Sequence, residues 1–486
     1  MLSSLFIGIA TAGVVNAFFK VQCTLPIVQE FVDPILSPGT ASQHLHTIHG
    51  GNNFSMNETY TSATQSSCTS CQVAQDLSNY WVPTLYFKDP VNGTFTKVPN
   101  GGLLAYYENR GVDAPINGGK GLTAFPPGFR MLSGNAAKRS QKYTPGEGSQ
   151  GELAERALIG QCLRYTTSNP GYAFSGFPTT DCEAGLNARL QMPSCWDGVN
   201  LWLPGSTHVS YLSGLDNGEC DAAHPVTLVH LFYEITWDLS PFRSSWVPQG
   251  YPWPFVYSNS DPTGWGWHGD FFNGWNVPVL QNALDHCDDF SNPGQAGGLA
   301  SACPYLNVTT ADTASACKIA KVEVTEPLGI QGPLAALPGC NPLQYGPCDA
   351  TLYPRGTSPC PKTGPACGAT TTAITSVTSK TSTSAASTGT VVGGSGTYLG
   401  CYSDAASPRT LTGSTTTAST MTNPSCVATC RSQGYSYAGT EYSNECFCGN
   451  SLSGGTIMTD GSCNGPCAGD SSTLCGGTYR LSVYHV

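Results

Sequence analysis

Three histidines stand within the eight residues HLHTIHGG, at positions 44 to 51, in a chain that has nine histidines in all. In a β-strand, residues i and i+2 project from the same face, so His44 and His46 would direct two imidazoles at one point. Many metal sites on β-scaffolds begin with such a pair. The spacing makes His44 and His46 candidate ligands of a divalent metal, and it makes His46 a candidate catalytic residue.

A third ligand would have to come from another part of the sequence. His49 could join only if the chain turned directly after it, and the distant candidates are His268, Asp270, His224 and His230. The alternative is that these imidazoles hydrogen-bond to the backbone in a charge-poor core. The sequence leaves both interpretations open.

The segment GWHGD places Asp270 two residues after His268 and among tryptophan and phenylalanine residues. A carboxyl group in apolar surroundings has a raised pKa and suits general-acid catalysis, so His268 and Asp270 are candidate catalytic residues. The rings of Trp265 and Trp267 could form a platform for a sugar. Plain core packing is the alternative for these rings.

LFYEITWD, residues 231 to 238, supplies a further candidate carboxylate, Glu234. In a strand, Glu234 and Asp238 share a face but stand about 13 to 14 Å apart. This separation exceeds that of either kind of glycosidase pair, so Glu234 would need a partner carboxylate from another strand. Asp33, Arg110 and Arg130 lie in polar and aromatic settings that predict salt bridges.

The elements that must position these residues are short. LYFKD, TLVHLFYEITWD and KVEVTEP have strand character, LQNALDHCDDF is the clearest helical segment, and Gly, Pro, Asn and Asp interrupt the rest. We therefore predict a mainly β fold, with a large β-sandwich or jelly-roll domain braced by disulfides and bearing long loops. No serine-hydrolase elbow, zinc-protease helix or phosphate-binding loop occurs, and Gly264–Gly269 fits the dinucleotide pattern without its strand and helix context.

The first 17 residues, MLSSLFIGIATAGVVNA, form an apolar run that ends in small residues and predict a secretory signal peptide cleaved before Phe18. A membrane anchor is the alternative, but the run is short for a bilayer, and no later segment is long enough to span one. Secretion accords with 22 cysteines, 14 from Cys23 to Cys367 and eight from Cys401 to Cys475, which we expect in disulfides. That expectation includes Cys68 and Cys71, whose spacing also fits half a zinc site or a redox motif.

Sequons at Asn53, Asn57, Asn92 and Asn307 predict N-glycosylation. Charged residues make up only 11% of the chain and the net charge is −11, which disfavours nucleic acid and anionic membranes as partners. A neutral polysaccharide is the expected ligand.

The composition divides the chain into two domains. Of the 22 residues from Ala369 to Thr390, 14 are Ser or Thr, which is typical of an O-glycosylated stalk. We therefore predict a signal peptide at 1–17, a large β-rich domain at 18–360, a linker at 361–396 and a small cysteine-rich module at 397–486.

The C-terminal module carries YLGCYSD, SCVATCRSQGYSYAGTEYSNECFCGN and CNGPCAGDSSTLCGGTYRLSVY. It resembles a WSC domain along its whole length, which implies a disulfide-stapled fold that binds cell-surface or wall glycans. Flat rings with polar edges suit sugar faces, so Tyr435 and Tyr437 are candidate carbohydrate-binding residues, whereas Tyr442 and Cys446 are expected to be structural.

Four stretches of the large domain, VDPILSPGTASQHLHTIHGG, DLSNYWVPTLYF, HPVTLVHLFYEITWD and DPTGWGWHGDFFNGW, resemble an uncharacterised domain that fungi secrete, often ahead of a WSC module. This resemblance implies secretion and a wall context but no reaction. Two hypotheses follow. In one, the WSC module holds a secreted fungal protein on a wall polysaccharide while the large domain acts on a nearby glycan as a hydrolase or lyase. In the other, both domains of a non-catalytic wall or adhesion protein only bind.

Overall fold

A computed structural model describes residues 17–165, 170–287, 292–324, 326–329, 332–353, 355–357, 359–361 and 364 of the large part of the chain. In the C-terminal part it describes residues 397–405, 409–452, 455, 458, 463 and 465–486. The predicted signal peptide, apart from Ala17, and most of the predicted linker lie outside these residues. The chain forms two compact units, Met1–Val377 and Thr378–Val486.

The large unit is built mainly from β-strands, which confirms the predicted fold class. Strands β1 to β17 are Ala17–Cys23, Val28–Glu30, His46–Gly50, Asn79–Pro83, Leu85–Lys88, Phe95–Lys97, Asn100–Glu108, Arg130–Gly134, Leu158–Leu163, Tyr172–Phe174, Gly185–Gln191, Cys195–Trp196, Val209–Ser210, Val226–Thr227, His230–Trp237, Phe255–Tyr257 and His268–Phe272. Helices α1 to α6 are Tyr60–Thr64, Gln150–Arg156, Arg243–Trp246, Val277–His286, Pro293–Ala296 and Ala311–Ala316. Short 3-10 helices are Pro115–Asn117, Pro204–Ser206, Ser240–Phe242 and Ala300–Ala302.

Two antiparallel sheets face each other across one core. The six-stranded sheet has the order β1-β7-β15-β11-β9-β10, and the five-stranded sheet has the order β2-β3-β4-β17-β8. Tyr80 of the five-stranded sheet contacts the ring of Tyr233 at 5.5 Å and the hydroxyl of Tyr107 at 2.6 Å, both in the six-stranded sheet. This arrangement is a β-sandwich, flanked by the small sheets β16-β5-β6 and β13-β12-β14.

The alternation of side chains in the five-stranded sheet decides what faces the core. Tyr80, Val82 and Phe271 lie in the core shared with the six-stranded sheet. Ile48 and Trp81 are cross-strand neighbours that lie in a separate apolar cluster on the other face. We call this second face, which loops cover, the outer face of the five-stranded sheet.

The strands predicted for LYFKD and TLVHLFYEITWD are confirmed by β5 and β15. The helix predicted for LQNALDHCDDF forms in α4 as far as His286, whereas Cys287 is not helical and residues 288–290 lie outside the described residues. The prediction for KVEVTEP is wrong, because residues 321–324 and 326–327 form no strand. The backbone N–H groups of Glu323 and Val324 donate to the Glu30 carboxylate instead of to a neighbouring strand.

Disulfides fasten the loops of the sandwich. Those between described residues of the large unit are Cys23–Cys71, Cys68–Cys317, Cys162–Cys182, Cys195–Cys220, Cys287–Cys303 and Cys340–Cys360. Cys68 and Cys71 are therefore disulfide-bonded as expected, although each pairs with a distant partner and not with the other.

The C-terminal unit is a small disulfide-stapled fold. Its helix α7 is Asn423–Ser432, and its strands β18 to β24 are Thr397–Ser403, Thr415–Thr417, Tyr437–Glu441, Glu445–Gly449, Pro466–Cys467, Asp470–Leu474 and Arg480–His485. Its bridges are Cys401–Cys463, Cys426–Cys446, Cys430–Cys448 and Cys467–Cys475. Among the described residues of the whole chain, no helix is long and apolar enough to cross a membrane.

Candidate functional site

Three histidines from distant parts of the chain meet on the outer face of the five-stranded sheet. His46 begins β3, His44 precedes it by two residues, and His268 begins β17. The ring centroids of His44 and His46 lie 4.4 Å apart, those of His44 and His268 5.0 Å apart, and those of His46 and His268 6.0 Å apart. One ligand atom from each ring lies within 4.8 Å of the others. We call these three residues the histidine cluster.

Backbone carbonyls fix the protonation of two members of the cluster. Nδ1 of His46 lies 3.1 Å from the carbonyl oxygen of Val32, and Nδ1 of His268 lies 2.8 Å from that of Gly266. A carbonyl can only accept, so each Nδ1 carries the proton and each Nε2 carries a lone pair. Nε2 of His268 lies 3.1 Å from Nε2 of His44, whereas Nε2 of His46 has no hydrogen-bond partner among the described residues.

Burial keeps the imidazoles neutral. Removal from water lowers the pKa of His46 to about 3 and that of His268 to about 4, and it lowers the pKa of His44 well below its ordinary value. The neutral imidazole is the form that binds metal ions.

Asp270 lies beside the histidine cluster on the same face of β17 as His268. Its side chain is buried, and neither carboxylate oxygen has a hydrogen-bond partner among the described residues. Burial, and then the nearby Asp33 carboxylate, raises the pKa of Asp270 well above its ordinary value. Burial also raises the pKa of Asp33 to about 6, and its Oδ1 accepts from the N–H groups of Ile35 and Leu36, each at 3.0 Å.

A cleft of about 520 Å³ reaches His268 and Asp270 from the surface. This volume is within the range of small-molecule sites. Its walls come from β8 and the loop that follows, from α2, and from the segment 202–211. Its other lining side chains include Leu36, Leu132, Gln150, Trp202 and Tyr211.

A buried ion pair supports the loop that carries His268. Asp261 accepts from the N–H of Gly266 at 2.7 Å and lies 3.7 Å from Nε of Arg139. Arg139 also donates to the carbonyl oxygen of Asn259 at 2.6 Å, and the Asn259 amide donates to the carbonyl oxygen of Gly266 at 2.8 Å. The same Gly266 carbonyl accepts from His268, so this network sets the orientation of the imidazole.

The other histidines considered as third ligands lie elsewhere. His49 faces the core between the sheets, because it is three residues from His46 on a strand that continues to Gly50. His224 bonds to Asp221 and to the carbonyl oxygen of Thr207. Nδ1 of His230 lies 2.6 Å from the Ser194 hydroxyl.

Glu234 is placed away from the histidine cluster. It projects from the side of the six-stranded sheet that faces away from the core, as expected from its position on β15, together with Phe232. There its carboxylate accepts from Arg189 at 2.9 Å and from the Tyr106 hydroxyl at 2.9 Å. Glu234 therefore does not share a site with His46 and Asp270, because they lie on opposite sides of the sandwich, and its candidate catalytic role stays a prediction.

The two candidate platform tryptophans differ in environment. Trp267 lies in the core, stacked on Tyr257 at 5.2 Å and donating to the carbonyl oxygen of Arg189, so its assignment as a sugar platform is wrong. Trp265 is half-buried beside a second cleft of about 240 Å³, with the Lys138 ammonium 5.4 Å from its ring. Trp265 thus remains a candidate for contact with a sugar.

Two expected salt bridges do not form among the residues that the structure describes. Arg110 pairs with Glu108 and Asp216 as expected. Arg130 instead lies over the ring of Phe272 at 5.1 Å, and Asp33 caps the turn beside Asp270. The sequence could not distinguish the two possible roles of Asp33, because aspartate is favoured both as the cap of a turn and as a partner in a salt bridge.

In the C-terminal unit, the most exposed aromatic pair is not the predicted one. Tyr435 and Tyr437 are half-buried against the apolar clusters of the unit. Tyr442 and Tyr479 are each 40% exposed, with ring centroids 5.9 Å apart. Both have left-handed backbones, with φ of 48° and 54°. Bulky residues rarely adopt this conformation, and such strain is concentrated at functional sites. Tyr442, which was expected to be structural, is thus partly exposed, whereas Cys446 is buried in its disulfide.

The predicted glycosylation sites lie at or near the surface. Asn57, Asn92 and Asn307 are exposed, and Asn53 is half-buried. Their accessibility is compatible with the predicted glycans, whose presence remains a prediction.

The fold and the site together define a disulfide-braced β-sandwich with a buried histidine cluster beside a cleft, followed by a small cysteine-rich module. Residues 33–275 match a family described as a domain of unknown function, DUF1996, and residues 398–477 match the WSC domain. The first match spans half of the chain, and the chain belongs to the DUF1996 family. Both resemblances seen in the sequence are confirmed.

The curated relatives share a short segment with this chain. Two WSC domain-containing proteins of Arthroderma benhamiae are 40% identical over 89 residues and 48% identical over 94 residues, covering 18% of this chain and 12% and 10% of those proteins. Human Kremen protein 2 is 40% identical over 91 residues, covering 18% of this chain and 20% of that protein. The chain thus spans between a tenth and a fifth of these relatives. The WSC similarity supports a role in carbohydrate binding or at a cell wall.

Proposed function

We propose that this chain is a secreted fungal protein that attaches to a wall polysaccharide through its WSC domain and cleaves a glycan in the cleft of its large domain. The observation that carries this proposal is the convergence of His268 and Asp270 at the floor of a cleft large enough for sugar residues. The attachment keeps the cleft at high effective concentration beside its substrate without any new interface.

The side chains that line the cleft of the large domain and those exposed on the WSC domain both favour a neutral glycan as the ligand. The chain has few charges, and the cleft combines apolar walls with hydroxyl and amide groups such as those of Tyr211 and Gln150. Sugars present apolar faces and many hydroxyls, so aromatic rings and uncharged polar groups suit them. In the WSC domain, the exposed rings of Tyr442 and Tyr479 offer the same chemistry.

The proposed reaction is hydrolysis of a glycosidic bond. Water supplies a hydroxyl group to the anomeric carbon and a proton to the departing sugar oxygen, so no further reactant is needed. Asp270 is the carboxyl group of the cleft with no protein partner among the described residues, which leaves it available to a substrate oxygen. Unsaturated sugar ends among the products would indicate a lyase instead.

A binding-only protein is the second candidate, and the burial of the site favours it. His46 is fully buried and Asp270 is 1% exposed, so a substrate must reach them by way of the cleft edge or a local movement. In this case both domains bind glycan and the histidines serve stability.

Activity can be tested by incubating the full chain with β-1,3-glucan, chitin, cellulose, xylan and mannan and measuring new reducing ends. Asp270→Asn should lower the rate by about 100-fold or more, since a general acid contributes about that much. The replacement keeps the volume and removes no observed hydrogen bond. Glu234→Gln is the matched control, because this carboxylate lies on the other side of the sandwich. Absence of products from every substrate would favour the binding-only protein.

Attachment can be tested separately by sedimenting the full chain with the same insoluble polysaccharides. Tyr442→Ala and Tyr479→Ala should each weaken binding about fivefold, since an aromatic contact contributes about 1 kcal/mol. Tyr398→Ala is the control, because Tyr398 is similarly exposed but packs on Tyr484. Equal loss in all three variants would contradict a specific role for the Tyr442 and Tyr479 pair.

A further inference from the structure

We propose that His44, His46 and His268 bind a single divalent transition-metal ion, zinc or copper, through three imidazole nitrogens. This inference concerns the resting protein and does not depend on the proposed glycan substrate. His268 joins the two candidates from the sequence, His44 and His46, as the third ligand. Nε2 is the atom that His46 and His268 each contribute, because their Nδ1 atoms are bonded to backbone carbonyls.

The positions of the nitrogens fit one ion. Two imidazole nitrogens at about 2.0 to 2.1 Å from a tetrahedral ion lie roughly 3.3 Å from each other. The Nε2 atoms of His44 and His268 lie 3.1 Å apart, and all three rings offer a ligand atom within 4.8 Å of the others. A small rotation of His46 would therefore complete the set.

The hydrogen bonds outside the cluster are those that metal-binding histidines make. The carbonyl oxygens of Val32 and Gly266 hold Nδ1 of His46 and of His268, which leaves each Nε2 as a lone-pair donor directed away from its anchor. Such contacts orient imidazole ligands and fix their tautomer. The network of Arg139, Asp261 and Asn259 behind Gly266 adds rigidity to the second anchor.

Hydrogen bonding within the cluster cannot satisfy all three rings. Since Nε2 of His268 carries no proton, its contact with His44 is a hydrogen bond only when His44 donates from Nε2. Nε2 of His46 then remains a buried acceptor without a donor among the described residues. An unsatisfied buried acceptor costs about 1 to 3 kcal/mol, and a metal ion would remove this cost.

A carboxyl group without a partner also lies beside the cluster. Asp270 is two residues from His268 on the same face of β17, and its side chain has no hydrogen bond within the described residues. Arg139 is engaged by Asp261 and by backbone carbonyls. A divalent ion held by the three imidazoles would give Asp270 an electrostatic partner that the described protein groups do not supply.

The ligand set selects the class of metal. Imidazole nitrogen suits zinc and copper, whereas calcium and magnesium prefer oxygen ligands. Three histidines leave a fourth position open, as in catalytic zinc sites. The adjacent cleft reaches His268 but not His44 or His46, so water or a sugar hydroxyl would approach the ion from the side of His268.

The test uses the full chain without a polyhistidine tag. We expect elemental analysis of the purified protein to find close to one zinc or copper ion per chain. Removal of the metal with a chelator should lower the melting temperature, and adding Zn²⁺ should restore it. Replacement by Co²⁺ should produce the visible absorption bands of a tetrahedral site.

Variants connect the metal to these residues. His46→Gln and His268→Gln should each lower the metal content at least tenfold. His49→Gln is the matched control, because His49 is equally buried on the same strand but faces the opposite side. The proposal is overturned if the unmodified protein contains no metal and neither Zn²⁺, Cu²⁺ nor Co²⁺ changes its melting temperature, or if the His49 variant loses metal as fully as the other two.

Discussion

At the scale of single residues, the candidate site depends on how closely the backbone approaches His268. Gly134 of β8 lies opposite His268, with φ of 96°, and an added Cβ would lie 2.4 Å from the carbonyl oxygen of Trp267 and 2.8 Å from Cα of His268. Only glycine allows this approach. The orientation of the imidazole thus depends on a residue that has no side chain.

We expect Gly134→Ala to lower the free energy of unfolding by about 2 to 5 kcal/mol, from the backbone conformation together with the overpacking. The same replacement should reduce metal binding, because it displaces His268. Gly121→Ala is the control, since Gly121 has φ of 108° but no atom within 4 Å of an added Cβ. Chemical denaturation and metal content measure both effects. Equal destabilisation by the two replacements would contradict the role given to close packing.

Sequence reasoning at this scale found that His44 and His46 lie together but gave the wrong local structure for His44. His44 lies in a bend before β3, and only His46 belongs to the strand, so the strand repeat of two does not by itself account for the pair. The third member, His268, is 224 residues from His44, and three other histidine or carboxylate candidates were equally open. Trp265 and Trp267 are two residues apart, yet only the second is enclosed by Tyr257 and the neighbouring sheet. Such enclosure depends on distant segments, which a single sequence does not place.

At the scale of elements, strand alternation and bridge placement determine where loops can lie. LFYEITWD predicted a strand with a period of two, and β15 shows this alternation of buried and half-buried residues. The segment KVEVTEP has the same alternation but forms no strand, since Glu30 takes the hydrogen bonds that a neighbouring strand would have taken. The Cys68–Cys317 bridge holds the segment after α6 against the outer face of the five-stranded sheet, where both residues join its apolar cluster.

Replacing Cys68 and Cys317 together by alanine should destabilise the large unit more than replacing Cys287 and Cys303. The first bridge spans 249 residues and the second spans 16. Loop-closure entropy then gives about 5 kcal/mol for the first and about 3 kcal/mol for the second, before the bridges nested within the longer loop are counted. Equilibrium denaturation of the two double variants measures which bridge stabilises the unit more. A larger loss of stability on replacing Cys287 and Cys303 would show that native-state packing outweighs chain entropy.

At the scale of the whole molecule, the chain consists of two units that each have their own core and disulfides. The Ser/Thr-rich composition between Ala369 and Thr390 predicts a linker between two domains, because such a stretch cannot bury enough apolar surface to fold. The WSC domain was the most specific sequence signal, since its cysteine order is carried by local spacing. The reaction of the large domain has no such signal, because its site is assembled from residues far apart in sequence.

We expect calorimetry of the full chain to show two unfolding transitions, one for each unit. Leu481→Ala should lower only the transition of the C-terminal unit, since Leu481 is fully buried there and such a replacement costs about 2 to 5 kcal/mol. Gly134→Ala should lower only the other transition. A single transition that both variants shift together would show that the units unfold as one.

The neighbouring cysteines at positions 68 and 71 impose an order on maturation. On the proposed secretory route, Cys71 can oxidise with Cys23 as soon as both have been translocated, whereas Cys68 must wait for Cys317. Throughout that interval the free thiol of Cys68 lies three residues from the newly formed bridge of Cys71. Thiol–disulfide exchange between them can then produce incorrect pairings. Correct production in a heterologous host will therefore depend on disulfide isomerase capacity more than on the rate of oxidation.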